Sequence, residues 1–151
     1  MLEPGDTAPK IVAQNQRGEQ VEPGFEEPTV VYFYPKDDTP GCTVEANQFE
    51  AERETYQDAG VSVYGVSMDD VDSHRAFAEK FDLEFDLLAD PDGGIASAFD
   101  LDVSNSGKTG RHTFVLAAGE VYRVYESVDP DGHPRKVLEG LLDDGIVELD
   151  S

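Results

Sequence analysis

The chain has 151 residues and a hydrophobic content of 38%, which suffices for one compact globular domain with a buried core. Lys and Arg total 11 against 33 Asp and Glu, and the resulting formal net charge of -22 disfavours binding to phosphate backbones and to anionic membranes. We therefore expect a single domain over residues 1–151, and we exclude nucleic-acid and membrane partners.

The N-terminal segment, residues 1–6, has no basic start followed by an apolar run, so it does not have the pattern of a secretory signal. The sequence contains a single cysteine, Cys42, which cannot form an intrachain disulfide and needs no oxidising compartment. These features predict a cytoplasmic protein.

The beginning of the chain predicts three strands. Residues 11–22 favour two short strands around Gln16-Arg17-Gly18, which together form an N-terminal β-hairpin. Thr29–Tyr34 is a continuous apolar run that Pro35 ends, as expected for a buried central strand.

The middle of the chain alternates helix and strand. A helix is predicted from Thr43 to about Asp58, with three residues able to share its apolar face: Ala46, Phe49 and Tyr56. Val61–Ser67 is the next predicted strand, and Ser73–Phe81 the second helix. Leu87–Ala89 predicts a brief strand that a turn at residues 90–93 ends.

The last part of the chain predicts a short helix, a hairpin and a final helix. The short helix is indicated by three residues: Ile95, Ala98 and Phe99. Thr113–Ala117 and Glu120–Tyr125 form a hairpin, and the final helix has an apolar face of four residues: Val137, Leu138, Leu141 and Leu142. The order βββαβαβαββα predicts an α/β fold of three layers, α/β/α, with a mixed central sheet. The Gly and Ser cluster at residues 104–107 is too short to separate two domains.

The chemistry is expected at the turn between the buried strand and the first long helix, residues 35–42. Helix N-termini present free N–H groups, and the positive end of the helix dipole favours thiolate over thiol at Cys42. A lone cysteine is otherwise often a small buried hydrophobe. The polar neighbours Thr39, Thr43 and Glu45 favour a reactive thiol instead.

At these positions the sequence resembles the peroxiredoxins. Pro35, Thr39 and Cys42 match the P-x-x-x-T-x-x-C signature, and the string Y-F-Y-P-K-D-D-T-P-G-C-T is similar to the bacterioferritin comigratory protein (PrxQ) branch. The resemblance extends from G-D-x-A-P at residues 5–9 to R-H-T-F-V at residues 111–115. It implies a thioredoxin-like fold and a peroxidase that reduces hydrogen peroxide and organic hydroperoxides through a sulfenic acid on Cys42.

The resemblance also implies roles for four residues around Cys42. Arg111 would stabilise charge on the departing peroxide oxygen, and Glu45 would orient Arg111. Thr39 would hydrogen-bond the thiolate and the peroxide, and Pro35 would shield the pocket from water. Each residue also has a purely structural explanation, in which Thr39 caps the helix, Pro35 ends the strand, Arg111 is a solvated charge and Glu45 favours the helix N-terminus.

The chain departs from this branch in one respect. Many relatives carry a second, resolving cysteine five positions after the first, where this chain has Asn47. A sulfenic acid on Cys42 would therefore need an external reductant, either a small-molecule thiol or a thioredoxin-like protein. The chemistry needs no cofactor, and His74, His112 and His133 are too widely separated in sequence to indicate a zinc or iron site.

The acidic residues are scattered through every segment, which indicates an acidic surface and not an acidic tail. One hypothesis is adaptation to a salt-rich cytosol, where screening shortens the range of self-repulsion. A surface that docks a basic partner is the alternative. We expect a monomer, because the resemblance implies one and because like charge opposes association.

Two other functions stay open at the level of sequence. A thiol-based redox sensor or relay would pass oxidation from Cys42 to a partner protein through a mixed disulfide. A non-catalytic thioredoxin-like binding module would keep only the fold, although the intact set of Pro35, Thr39, Cys42 and Arg111 argues against it.

Overall fold

The computed structural model describes residues 1–101, 109–126 and 128–145, so the predicted loop at 104–107 lies outside the described residues. The strands β1 to β7 are Ala13–Gln14, Gln20–Val21, Thr29–Phe33, Ser62–Ser67, Asp86–Ala89, His112–Ala117 and Glu120–Tyr125. The helices α1 to α5 are Pro40–Ala51, Arg53–Asp58, Val71–Phe81, Gly94–Ala98 and His133–Asp143. Over these ranges, no helix combines the length and the apolar character that crossing a bilayer requires.

The strands form two sheets. β1 and β2 pair antiparallel as a separate hairpin, and the other five form a sheet in the order β5-β4-β3-β6-β7. β3 lies at the centre, parallel to β4 and antiparallel to β6. The predicted mixed sheet and N-terminal hairpin are therefore confirmed.

The central strand β3 is buried on both faces, which explains its continuous apolar run. Val30 and Tyr32 face a core that includes side chains of α1, α2, α3 and α5. Val31 and Phe33 face a second core, formed with α4 and the N-terminal segment. Helices thus cover both faces of the sheet, as the predicted three-layer α/β/α arrangement requires.

The helix predicted from Thr43 to about Asp58 was wrong at its start and in its continuity. α1 begins at Pro40, because proline fits the first helical turn, where its missing N–H has no partner to lose. The helix breaks at Glu52, whose φ of -94° and ψ of 4° are not helical, and α2 follows. Tyr56 on α2 is buried, and its hydroxyl donates to the carbonyl of Pro134 at 2.6 Å.

The other predicted elements are present, with ends that differ by a few residues. α3 begins at Val71 and not at Ser73, because Asp70 caps it by accepting a hydrogen bond from the N–H of Ser73 at 2.8 Å. β3 ends at Phe33, although the N–H of Tyr34 still donates to Val66. Such differences are ordinary at the ends of elements, where hydrogen bonds with flanking residues decide the boundary.

Candidate active site

Cys42 lies in the first turn of α1, at the end of the loop that follows β3. The N–H of Thr43 donates to the carbonyl of Thr39 at 2.8 Å, so the regular hydrogen bonds of the helix begin at Thr43. The N–H groups of Gly41 and Cys42 precede that point and belong to the positively polarised end of the helix. The predicted position of the cysteine at a helix N-terminus is therefore confirmed.

Arg111 is brought to Cys42 by the pairing of β3 with β6. Phe33 is the register partner of His112, so Arg111, which precedes β6, lies beside the end of β3. Its Nη2 atom donates to Sγ of Cys42 at 3.4 Å, across 69 positions of sequence. Nη1 of the same guanidinium donates to Oε1 of Glu45 at 2.9 Å. The structure therefore brings together the cysteine, the arginine and the glutamate that the sequence singled out.

Glu45 is a buried carboxyl group with one oxygen engaged. The residue is 0% exposed, and among the residues that the structure describes, none offers its Oε2 a hydrogen bond. Burial raises the pKa of Glu45 to about 7, although the positive charge of Arg111 acts in the opposite direction. Near neutral pH this carboxyl group therefore exchanges a proton, and its charge next to Arg111 changes with it.

The surroundings of Cys42 correct one expectation. Its neighbours in sequence are polar, but the side chain is 1% exposed and belongs to the same buried cluster as Ala46 and Phe49. The physical reason is helical spacing, because positions 42, 46 and 49 lie on one face of α1. The polar partner of the sulfur is the guanidinium of Arg111, whose side chain is 15% exposed. Cys42 is thus a buried thiol in contact with a partly buried cation.

Thr39 and Pro35 flank the loop that leads to Cys42. Thr39 occupies the N-cap position of α1, but its hydroxyl makes no capping hydrogen bond and donates instead to the carbonyl of Lys36 at 2.8 Å. The lone pairs of that oxygen stay available as acceptors. Pro35 is the second residue after the end of β3 and is half-buried.

Gly41 is a residue of this site that the sequence analysis did not single out. A β-carbon at this position would lie 3.0 Å from Nη2 of Arg111 and 3.4 Å from Cγ of Pro130. The absence of a side chain therefore leaves room for the guanidinium beside the first turn of α1. The glycine directly before the cysteine in the P-G-C string was the available signal.

A second group of polar residues lies behind the loop, and the sequence analysis missed it because it compared the histidines only with one another. His74 is 0% exposed, and its Nδ1 lies 2.6 Å from Oδ2 of Asp37. Ligand atoms of His74, Asp37 and Asp69 all lie within 4.8 Å of one another, a distance compatible with a metal site. Hydrogen bonds within the protein already engage these groups, so we assign no metal to them.

Comparison with known proteins agrees with this geometry. The model of the AhpC/TSA family matches residues 4–124. A chloroplastic peroxiredoxin Q from Sedum lineare is 38% identical over 140 residues, which cover 89% of this chain and 75% of that protein. A putative peroxiredoxin bcp from Coxiella burnetii is 35% identical over 146 residues, covering 91% of this chain and 97% of that protein.

Among solved structures, the peroxidoxin BcpB from Mycobacterium tuberculosis superposes with a TM-score of 0.88 at 30% identity, covering 95% of this chain and 98% of that one. The chain spans 75%, 65%, 64% and 54% of the length of four chloroplastic peroxiredoxin Q proteins. It spans 97% of the Coxiella burnetii protein and 98% of the Mycobacterium tuberculosis protein.

Proposed function

The chain belongs to the AhpC/TSA family and is a peroxiredoxin, a thiol-dependent peroxidase with a thioredoxin-like fold, and on this premise we propose that Cys42 is the nucleophile that reduces the peroxide. The observation that carries the proposal is the guanidinium of Arg111, which lies 3.4 Å from Sγ of Cys42 and 2.9 Å from the carboxyl group of Glu45. A fixed cation beside a cysteine at a helix N-terminus favours the reactive thiolate.

The proposed reaction begins when the thiolate of Cys42 attacks the terminal oxygen of the hydroperoxide, the one that carries the hydrogen. The sulfur–oxygen bond forms while the O–O bond breaks, which leaves a sulfenic acid on Cys42. The departing oxygen takes the electron pair of the O–O bond and a proton from the solvent, which balances the proton lost when the Cys42 thiol ionised, and leaves as water or as an alcohol. We assign to Arg111 and to the N–H of Cys42 the stabilisation of the negative charge that builds on that oxygen in the transition state.

Thr39, Pro35 and Glu45 are assigned supporting roles. The hydroxyl of Thr39 donates to Lys36, so toward a substrate it serves as an acceptor for the O–H of the peroxide. Pro35 covers the site and limits the entry of water. Glu45 holds the guanidinium through Nη1, which leaves Nη2 directed at the sulfur.

Recovery of the enzyme is proposed to use external thiols. A first thiol condenses with the sulfenic acid, releases water and forms a mixed disulfide with Cys42. A second thiol then attacks that disulfide, which restores the thiol of Cys42 and releases the oxidised reductant. Two thiols of a thioredoxin-like protein, or two small-molecule thiols, satisfy this balance. The single cysteine supports the proposal, and we further propose a monomer in the cytoplasm.

The test is consumption of hydrogen peroxide with dithiothreitol as the reductant, comparing the wild type with Cys42→Ser and Arg111→Ala. We expect no turnover by Cys42→Ser and a loss of roughly a hundredfold or more in rate for Arg111→Ala, as for removal of other charge-stabilising donors. If Cys42→Ser consumed peroxide as fast as the wild type, Cys42 would be excluded as the nucleophile. Recovery that requires a partner protein and fails with dithiothreitol would favour the redox relay.

A further inference from the structure

The loop between β3 and α1 is held from behind by buried polar groups. Asp37, in the middle of the loop, is 6% exposed. Its Oδ1 accepts a hydrogen bond from the hydroxyl of Tyr34 at 2.6 Å, and its Oδ2 accepts one from the hydroxyl of Ser73 at 2.8 Å. Oδ2 also lies 2.6 Å from Nδ1 of His74. Both carboxyl oxygens of Asp37 therefore act as acceptors.

His74 connects this carboxylate to the sheet. Its Nε2 lies 3.0 Å from the carbonyl oxygen of Leu88 in β5, and a carbonyl only accepts, so Nε2 carries a proton. Nδ1 lies 2.6 Å from Oδ2 of Asp37, so a hydrogen bond also joins the two side chains. The two ring nitrogens thus connect the loop to β5.

The peptide unit between Lys36 and Asp37 links this cluster to the active site. Its N–H donates to Oδ2 of Asp69 at 2.8 Å, and its carbonyl accepts the hydroxyl of Thr39 at 2.8 Å. The direction of the Thr39 hydroxyl therefore depends on the orientation of one peptide plane. That plane is fixed by Asp69 through the N–H and by the side chain of Asp37, which His74 holds.

We propose that Asp37 and His74 are positioning residues that set the orientation of the Thr39 hydroxyl toward the peroxide, by fixing the Lys36–Asp37 peptide. The inference rests on the role proposed for Thr39. If this peptide rotated, the Thr39 hydroxyl would lose its acceptor, the carbonyl of Lys36. Its hydrogen could then point toward the peroxide, where the oxygen of Thr39 has to accept a hydrogen bond. The contacts of His74 thus contribute to the rate of Cys42 oxidation and not only to the stability of the fold.

Two variants of the same residue separate these contributions. In His74→Asn the amide nitrogen replaces Nδ1 and keeps the donor to Asp37, whereas in His74→Gln it replaces Nε2 and keeps the donor to Leu88. Both variants remove one buried hydrogen bond and part of the ring. We expect His74→Gln to slow the oxidation of Cys42 by hydrogen peroxide about tenfold or more, and His74→Asn to stay within about threefold of the wild type.

The thermal midpoints of both variants are the control. A role limited to stability would lower the rates of the two variants together, in proportion to the loss of stability, and equal rates would overturn the proposal. If His74→Gln folds poorly, Ser73→Ala removes one donor from Asp37 at a half-buried position. It is expected to slow oxidation in the same direction, and an unchanged rate for Ser73→Ala would also overturn the proposal.

Amide hydrogen exchange of residues 36–39 gives a measurement that does not depend on peroxidase activity. Exchange should be faster in His74→Gln than in the wild type and nearly unchanged in His74→Asn. If the wild type consumed no peroxide, the proposed function would fail while this exchange still tested the positioning of the loop. Slow peptide exchange in both variants would contradict the positioning role even in an active enzyme.

Discussion

A β-carbon on Gly41 would lie 3.0 Å from Nη2 of Arg111, so the guanidinium would have to move by a few tenths of an ångström to make room for it. Gly41→Ala should therefore displace Arg111 from Sγ of Cys42. We expect peroxide reduction to fall by about tenfold or more, with little change in the free energy of unfolding. The matched control is Gly24→Ala, because a β-carbon at Gly24 meets nothing within 4 Å. Equal activity of the two variants would contradict the close approach.

Arg111→Lys tests the forked geometry of the guanidinium. One side chain now donates to both Cys42 and Glu45, and the ammonium of a lysine is a point charge without the planar fork. We expect a loss of roughly tenfold to a hundredfold in the rate of Cys42 oxidation, smaller than the loss for Arg111→Ala. Arg135→Lys, at an exposed arginine, should leave the rate unchanged. Wild-type activity of Arg111→Lys would mean that charge alone suffices.

The buried carboxyl group of Glu45 predicts a pH-dependent stability. Burial raises its pKa from 4.5 to about 7 in the folded protein, so its contribution to stability is complete below pH 4.5 and is lost as the pH rises through 7. The stability of the wild type relative to Glu45→Gln should therefore fall by an amount on the order of 3 kcal/mol between pH 4.5 and 8. Chemical denaturation across this range measures the difference.

Glu54→Gln is the control for this measurement, because Glu54 is exposed on α2. Its stability relative to the wild type should stay nearly constant with pH over the same range. If the stability of the wild type relative to Glu45→Gln rose with pH instead, ion pairing of Glu45 with Arg111 would outweigh its burial.

The acidic surface predicts stabilisation by salt. A formal net charge of -22 produces self-repulsion that screening weakens, so the melting temperature should rise in KCl at about 1 M. A nonionic osmolyte at matched osmolality separates screening from general exclusion effects. A melting temperature no higher in KCl than in dilute buffer would remove the support for a salt-rich cytosol.

The single cysteine predicts a sulfenic acid that persists until a thiol is added. After one equivalent of peroxide, intact-mass analysis should show one added oxygen atom, which dithiothreitol removes. Cys42 is 1% exposed, so a disulfide between two copies is not expected in the folded state. A stable dimer linked through Cys42 would mean that the chain resolves its own oxidation.

The sequence predicted the order of strands and helices well, because alternating and helical apolar patterns survive in the final packing. It also predicted the meeting of Cys42 and Arg111, but only through the family resemblance. The physical cause is the register that places Phe33 opposite His112, and no local pattern states that register.

Other features depend on contacts between distant segments. The pairing of Asp37 with His74 joins a loop to α3, and the polar neighbours of Cys42 gave no sign of its burial. The spacing of Cys42, Ala46 and Phe49 on one helical face did contain that information. No proline or glycine at Glu52 indicates the break between α1 and α2, because the sequence there continues with residues that favour a helix.

The nearly complete enclosure of the Cys42 sulfur imposes a size filter on the two halves of the catalytic cycle. A peroxide of a few atoms can reach so enclosed a sulfur through a smaller displacement of side chains than the active-site thiol of a protein reductant would require. A sulfenic acid on Cys42 would therefore be more accessible to a second peroxide than to a protein reductant. At high peroxide concentration, this difference would favour irreversible oxidation to the sulfinic acid.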